Sequence, residues 1–189
     1  MKIKIPLNIP NVLTFIRFLL VPVAIYYAVK DKLLTGFIIY TIACATDVLD
    51  GVIARKFNMI TEAGKLLDPL ADKVMIMGMV VTFTVLGVLP IFVLIIVVVK
   101  EVTMISGGIF LYKNNIVVQA NIFGKIAALL LHLSIGFTFL HNIYGKVYLY
   151  LMYLALAMSL ASLVQYFYLN MYKKYVKPKR ESDELENND

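Results

Sequence analysis

Charge is what this sequence has least of. Only 16% of its 189 residues are charged, against 61% that are hydrophobic, and the mean hydropathy is +0.83. Those values lie outside the range of water-soluble globular domains and argue against a soluble enzyme. Cysteine is nearly absent. Cys44 is the single one, so no intrachain disulfide can form, and its apolar surroundings make it read as a small buried residue. Histidine is scarce too: His132 and His141 have no companion at metal-ligand spacing and read as packing or interfacial residues. Neither an internal repeat nor a second domain is visible.

What fills the chain instead is a series of long apolar runs. A membrane-crossing helix needs about 20 such residues, and the runs place spans near 12–30, 33–54, 66–88, 90–112, 121–141 and 146–171. The expected fold is therefore an all-α integral membrane bundle of six transmembrane helices. A short basic and apolar segment, residues 1–11, precedes it and suits the bilayer interface. Within that segment Asn11 is the expected N-cap of the first helix. A cleaved signal peptide is the rival reading of this start, but the apolar run continues to Val29 without a small-residue cleavage site. The spans leave no room for a soluble catalytic domain, so any chemistry takes place at the membrane. The expected domain covers residues 1–176, and residues 177–189 form a charged, disordered cytoplasmic tail.

The net charge of +6 could be taken for a nucleic-acid footprint. Its distribution points to membrane orientation instead. With the N-terminus inside, eleven basic residues, among them Lys2, Lys4, Arg55, Lys56 and Lys65, fall on the cytoplasmic side, against Lys30, Lys32 and Lys146 opposite. Basic residues concentrate on the cytoplasmic side of membrane proteins. Both termini are thus expected in the cytoplasm, facing membrane lipid and no nucleic acid.

The densest chemistry lies between Asp47 and Asp72. Here D-V-L-D-G-V-I-A-R is followed, eight residues later, by G-K-L-L-D-P-L-A-D, which sets acids at Asp47, Asp50, Asp68 and Asp72. An ionised Asp within a bilayer costs about 2.5–3.5 kcal/mol even on the lenient insertion scale, so such residues imply function. Helical spacing puts Asp47 and Asp50 on one face, and Gly64, Asp68 and Asp72 on another. Two such faces brought together form an all-oxygen cluster suited to Mg²⁺ or Mn²⁺. Gly51 and Gly64 allow close approach of a substrate, and Arg55 offers a planar fork for phosphate. Pro69 predicts either a helix that begins near Leu66 or one that kinks beside Asp68.

The pattern D-x-x-D-G-x-x-A-R, eight residues, G-x-x-x-D-x-x-x-D resembles the signature of the CDP-alcohol phosphatidyltransferases. Asp47, Asp50, Gly51, Ala54, Arg55, Gly64, Asp68 and Asp72 all fall in register over 26 residues. The resemblance extends to the run Asn8-Ile-Pro-Asn-Val-Leu-Thr-Phe-Ile-Arg17. It implies a magnesium- or manganese-dependent transfer, with two ions, of a phosphatidyl group from CDP-diacylglycerol to an alcohol acceptor, with release of CMP. By the same resemblance Asp47, Asp50, Asp68 and Asp72 are metal ligands and Asp72 doubles as general base. Asp47, Gly51, Ala54, Arg55 and Gly64 meet the CDP-lipid. A homodimer is one admissible assembly.

The acceptor is read from the remaining charges. The first-helix run and D-P-L-A-D-K look most like the branch that uses glycerol 3-phosphate, and Arg17, Lys100 and Lys125 are the cations expected to hold the acceptor phosphate. Against this, the branch often has G-K-x-K-T at the start of the fifth span, where this chain has Gly124-Lys125-Ile126-Ala127-Ala128. Phosphatidylglycerol as acceptor, giving cardiolipin, is therefore the alternative. A cation transporter is the alternative of another class, but it would not need Arg55.

Overall fold

A computed structural model describes residues 8–57, 59, 61–113 and 122–168. The described residues form seven helices and no strand: α1 (Ile9–Val29), α2 (Leu33–Lys56), α3 (Glu62–Val85), α4 (Ile91–Lys113), α5 (Ile122–Phe139), α6 (His141–Tyr144) and α7 (Val147–Phe167). The expected interfacial segment before Asn8 and the charged tail lie outside the described residues.

Helix starts are set by capping. Asn8, not Asn11, caps α1: its side chain accepts the Asn11 N–H at 3.1 Å. Pro10 explains the difference, because a proline in the first turn lacks only an N–H that would have no helical partner anyway. Asn11 is thus released to face inward and is buried. Thr61 caps α3, its hydroxyl accepting from Gly64 N–H at 3.0 Å. That cap starts the helix at Glu62, ahead of the start expected near Leu66, and leaves Pro69 inside the helix, as the other expectation from Pro69 required.

Five helices, α1, α2, α4, α5 and α7, are long and apolar enough to cross a membrane. The remaining expected span, 66–88, corresponds to α3, whose 24 residues extend about 36 Å at 1.5 Å per residue. It falls outside the five because every 18-residue stretch of it contains Asp68, Asp72 and Lys73. The short α6 was not expected. It occupies the polar turn after α5, where Gly145, at φ 59°, adopts the left-handed conformation that glycine tolerates best.

The core lies away from the acids, toward the end of the bundle where α3 turns into α4. Met75, Met79 and Phe83 of α3 meet Ile135 and Phe139 of α5, Tyr40 of α2, Val93 of α4 and Met152 of α7. Phe83 and Phe139 pack edge to face at 4.9 Å between centroids. Ala24, Ala28 and Ala43 are fully covered and let α1 and α2 approach closely, as small residues do between membrane helices. The outward faces remain apolar. On α1, Val12, Phe15, Ile16, Leu19, Val23 and Tyr26 are all exposed, a helical stripe that suits hydrocarbon rather than water.

Candidate active site

The two helices that carry the acids are not packed mainly on each other. Each packs against α1 on one side and α5 on the other, and these contacts outweigh those between α2 and α3. α2 and α3 thus stand apart, with their acid-bearing ends away from the α3–α4 end of the bundle and a gap between them bridged by α1 and α5. Asp47 and Asp50, one turn apart on α2, face Asp68 and Asp72 on α3 across it. Asp47 lies within electrostatic range of Asp68 and Asp72, and Asp50 within range of Asp68.

Each acid is held by a neighbour from a wall helix. Arg17 of α1, 0% exposed, places Nη1 2.7 Å from Asp47 Oδ1, and its Nη2 donates to Asp50 Oδ2. Asp50 is itself buried, whereas Asp47 is part-exposed. Thr14, also on α1, donates its hydroxyl to Asp68 Oδ1 at 2.7 Å while keeping a bond to the Pro10 carbonyl at 3.1 Å. His132 of α5 lies with Nε2 2.7 Å from Asp72 Oδ1, and its Nδ1 is 2.8 Å from the buried Tyr40 hydroxyl on α2. Thr61 donates to Asn11 Oδ1 at 3.3 Å, tying the start of α3 to α1.

The expected substrate-binding positions are brought to the same place. Gly51 and Ala54 continue the acidic end of α2, part-buried, and Arg55 lies one residue further on that helix. Gly64 is buried: a Cβ there would stand 3.1 Å from Asn11 Oδ1, 3.1 Å from Thr61 Oγ1 and 3.7 Å from Asp68 Oδ2. The cations expected to hold an acceptor phosphate are arranged differently. Arg17 is sealed against Asp47 and Asp50 and serves as their counter-ion, because two acids in a low-dielectric setting need a charge beside them. Lys100 donates to Glu101 at 2.6 Å, and Glu101 also pairs with Lys73 at 2.9 Å. Lys125 is exposed on the first turn of α5.

Sequence reasoning missed four side chains at the site: Asn11, Thr14, Tyr40 and His132. Asn11 and Thr14 had a signal, since they precede Arg17 at steps of three and so share its helix face. His132 was read as a packing or interfacial residue. The fold corrects this, placing it against Asp72, a residue 60 positions away. No local pattern announces that contact.

The donor set itself suits a hard divalent cation: four carboxylates from two helices, with Cys44 the single thiol of the chain. In the arrangement shown, no three acidic, histidine or cysteine side chains among the described residues converge on one point. The charge of Asp47 and Asp50 is met by Arg17, whose buried Nε has no hydrogen-bond partner among the described residues. The chemistry of the residues therefore fits a metal, and the protein supplies a cation of its own beside the same acids.

Comparisons with known proteins give the family. The sequence profile of the CDP-alcohol phosphatidyltransferases matches residues 7–161, which include all four helices around the gap. A CDP-diacylglycerol–glycerol-3-phosphate 3-phosphatidyltransferase of Aquifex aeolicus is 34% identical over 143 residues, 73% of this chain and 79% of the relative. A protein of the same name from Bacillus subtilis is 29% identical over 151 residues, 72% and 78% of the two chains. A probable phosphatidylglycerophosphate synthase of Mycobacterium tuberculosis is 30% identical over 135 residues, covering 68% and 64%. With the profile spanning most of the chain and the motif acids gathered between α2 and α3, this protein belongs to the CDP-alcohol phosphatidyltransferase family.

Proposed function

We propose that this protein transfers the phosphatidyl group of CDP-diacylglycerol to glycerol 3-phosphate, yielding phosphatidylglycerophosphate and CMP. One observation carries the reading. The eight motif positions of the family lie along the ends of α2 and α3 that border one gap, at one end of an apolar bundle. A lipid held in the bilayer can present its headgroup there. The relatives named above carry the same transfer in their names, which supports glycerol 3-phosphate over phosphatidylglycerol. Membership of a transferase family removes the cation-transporter reading.

Asp47, Asp50, Asp68 and Asp72 are the residues that would hold Mg²⁺ or Mn²⁺, and such ions, when bound, neutralise the pyrophosphate and steady attacking and leaving oxygens. The chain's own residues do the rest. Gly64 leaves open the space beside Asp68 that any Cβ would narrow. Thr14 and Arg17 fix the orientation of three of the acids from α1. Asp72 accepts the proton of the attacking hydroxyl, a role that general-base catalysis values at roughly 10²–10⁴ in rate. Positioning supplies most of the remainder in phosphoryl chemistry of this kind. The site and both termini face the cytoplasm, in line with the bias of basic residues to that side.

The test is to give the purified full-length protein CDP-diacylglycerol with glycerol 3-phosphate, phosphatidylglycerol, serine or inositol phosphate, and to identify the lipid product by mass. Phosphatidylglycerophosphate from glycerol 3-phosphate alone is the expected result. Cardiolipin formed without phosphatidylglycerophosphate would replace the acceptor and keep the reaction class. No CMP release with any acceptor would overturn the reading.

A further inference from the structure

We propose that His132, braced by Tyr40, is a positioning residue for Asp72: it holds one carboxylate oxygen so that the other is aimed at the acceptor hydroxyl. The inference rests on the reading of Asp72 as the proton acceptor. It concerns a histidine outside the eight-position motif, on a helix that contributes none of the four acids.

The geometry is a chain across three helices. Tyr40 Oη of α2, His132 of α5 and Asp72 Oδ1 of α3 are linked at 2.8 and 2.7 Å. A carboxylate only accepts, so Nε2 of the ring donates to Asp72. In the neutral ring Nδ1 is then left to accept the Tyr40 hydroxyl. Tyr40 is 2% exposed and packs on Phe139 at 5.7 Å between centroids, so it cannot swing away without disturbing the core. The ring of His132 is therefore fixed from behind by a rigid group, and its Nε2–H points at a single carboxylate oxygen. A free aspartate turns about its last bond and presents either oxygen. Asp72 with one oxygen engaged presents the other.

A packing role is the competing explanation, since a polar ring within an apolar helix must bond to something. The two explanations differ in what removal does. A positioning group acts through Asp72, so its loss lowers turnover with little effect on lipid affinity, and it has no effect once Asp72 is disabled. A packing group weakens the fold whatever stands at position 72.

The experiment uses the full chain in lipid nanodiscs, with CDP-diacylglycerol and glycerol 3-phosphate, and measures kcat, KM and unfolding temperature. His132→Leu is expected to lower kcat by about 100-fold, the scale of loss that misplacing a reacting group produces, with the KM for CDP-diacylglycerol within about twofold. His132→Gln, whose amide nitrogen reaches about as far as Nε2, is expected to recover most of that loss. His132→Asn, whose amide reaches only the Nδ1 position, is not. Combining His132→Leu with Asp72→Asn is expected to cost no more than Asp72→Asn alone. Normal kcat in His132→Leu, or equal loss in the Gln and Asn variants, overturns the inference. So does a double variant in which the two losses multiply. Where His132→Leu yields no folded protein, the comparison of Gln with Asn decides. Near-normal turnover in Asp72→Asn would instead remove the proton-acceptor reading on which the inference stands, while impaired Asp72→Asn beside normal His132→Leu removes the inference alone.

Discussion

At the scale of single residues, the site is organised by pairs that join an acid to a side chain from a different helix. Arg17 is the most exposed to perturbation because it is wholly buried and shared by two carboxylates, one of them buried as well. Arg17→Met leaves both acids without a counter-ion, and breaking a buried pair in this way costs about 3–5 kcal/mol. A marked fall in unfolding temperature in detergent is the expected outcome. Stability equal to the parent would show that the pair is not a structural tie. Lys125, exposed at the start of α5, carries the opposite expectation. Lys125→Ala should leave stability within about 0.5 kcal/mol but raise the KM for glycerol 3-phosphate roughly tenfold or more, the scale of one hydrogen bond to a charged group. An unchanged KM would remove Lys125 from the acceptor site. The acids and motif glycines were legible in the sequence because their spacing is helical and their cost in a bilayer is high. Arg17 was expected on the acceptor phosphate, and only the packing of α1 on α2 shows that it faces Asp47 and Asp50. His132 and Tyr40 are joined by contacts between distant parts of the chain, which no spacing rule reads.

At the scale of helices, capping and small residues decide where the acids stand. Thr61 starts α3 and binds Asn11 of α1, so a single side chain links the start of one acid-bearing helix to the wall beside it. The sequence placed six apolar runs close to the observed helices. It misplaced the starts of α1 and α3 because Asn8 and Thr61 cap through side-chain bonds that begin both helices earlier, with Pro10 in the first turn of α1. Two glycines test the packing that follows. At Gly36 a Cβ would stand 2.6 Å from Cε1 of Phe139, so Gly36→Ala must displace that ring, and overpacking of this kind costs about 1–3 kcal/mol. Turnover per folded molecule should fall less than in Gly64→Ala, because Phe139 reaches the acids only through Tyr40 and His132. Gly64→Ala presses on Asn11 and Thr61 beside Asp68, with 3.1 Å to each. It should lower kcat by roughly tenfold or more through misplacement while changing the unfolding temperature little. Equal effects of the two substitutions on kcat and on stability would deny the division between a core end and a reactive end.

At the scale of the whole molecule, that division is the design. Apolar packing fills one end of the bundle, and polar pairs fill the other around a gap that α2 and α3 leave between them. Hydropathy exposed the bilayer-spanning character of the chain readily, but it undercounts α3, because Asp68, Asp72 and Lys73 take that helix out of the apolar class. The proposed orientation rests on the bias of the basic residues. Single cysteines at Lys32 and Lys146, in a Cys44→Ser background, should react with an impermeant thiol reagent in intact cells, whereas one at Lys56 should react only after permeabilisation. Labelling at Lys56 from outside would invert the bundle. The central claim is that the four aspartates bordering the gap form one reactive centre. It is tested most directly by CMP release from CDP-diacylglycerol and glycerol 3-phosphate in the parent and in Asp50→Asn, Asp68→Asn and Asp72→Asn, each confirmed as folded and each assayed with Mg²⁺ and with chelator. The account predicts that each substitution, and chelation of the parent, lowers the rate by about 10²-fold or more. Near-parental CMP release from folded Asp68→Asn, or from the parent in excess chelator, would contradict it.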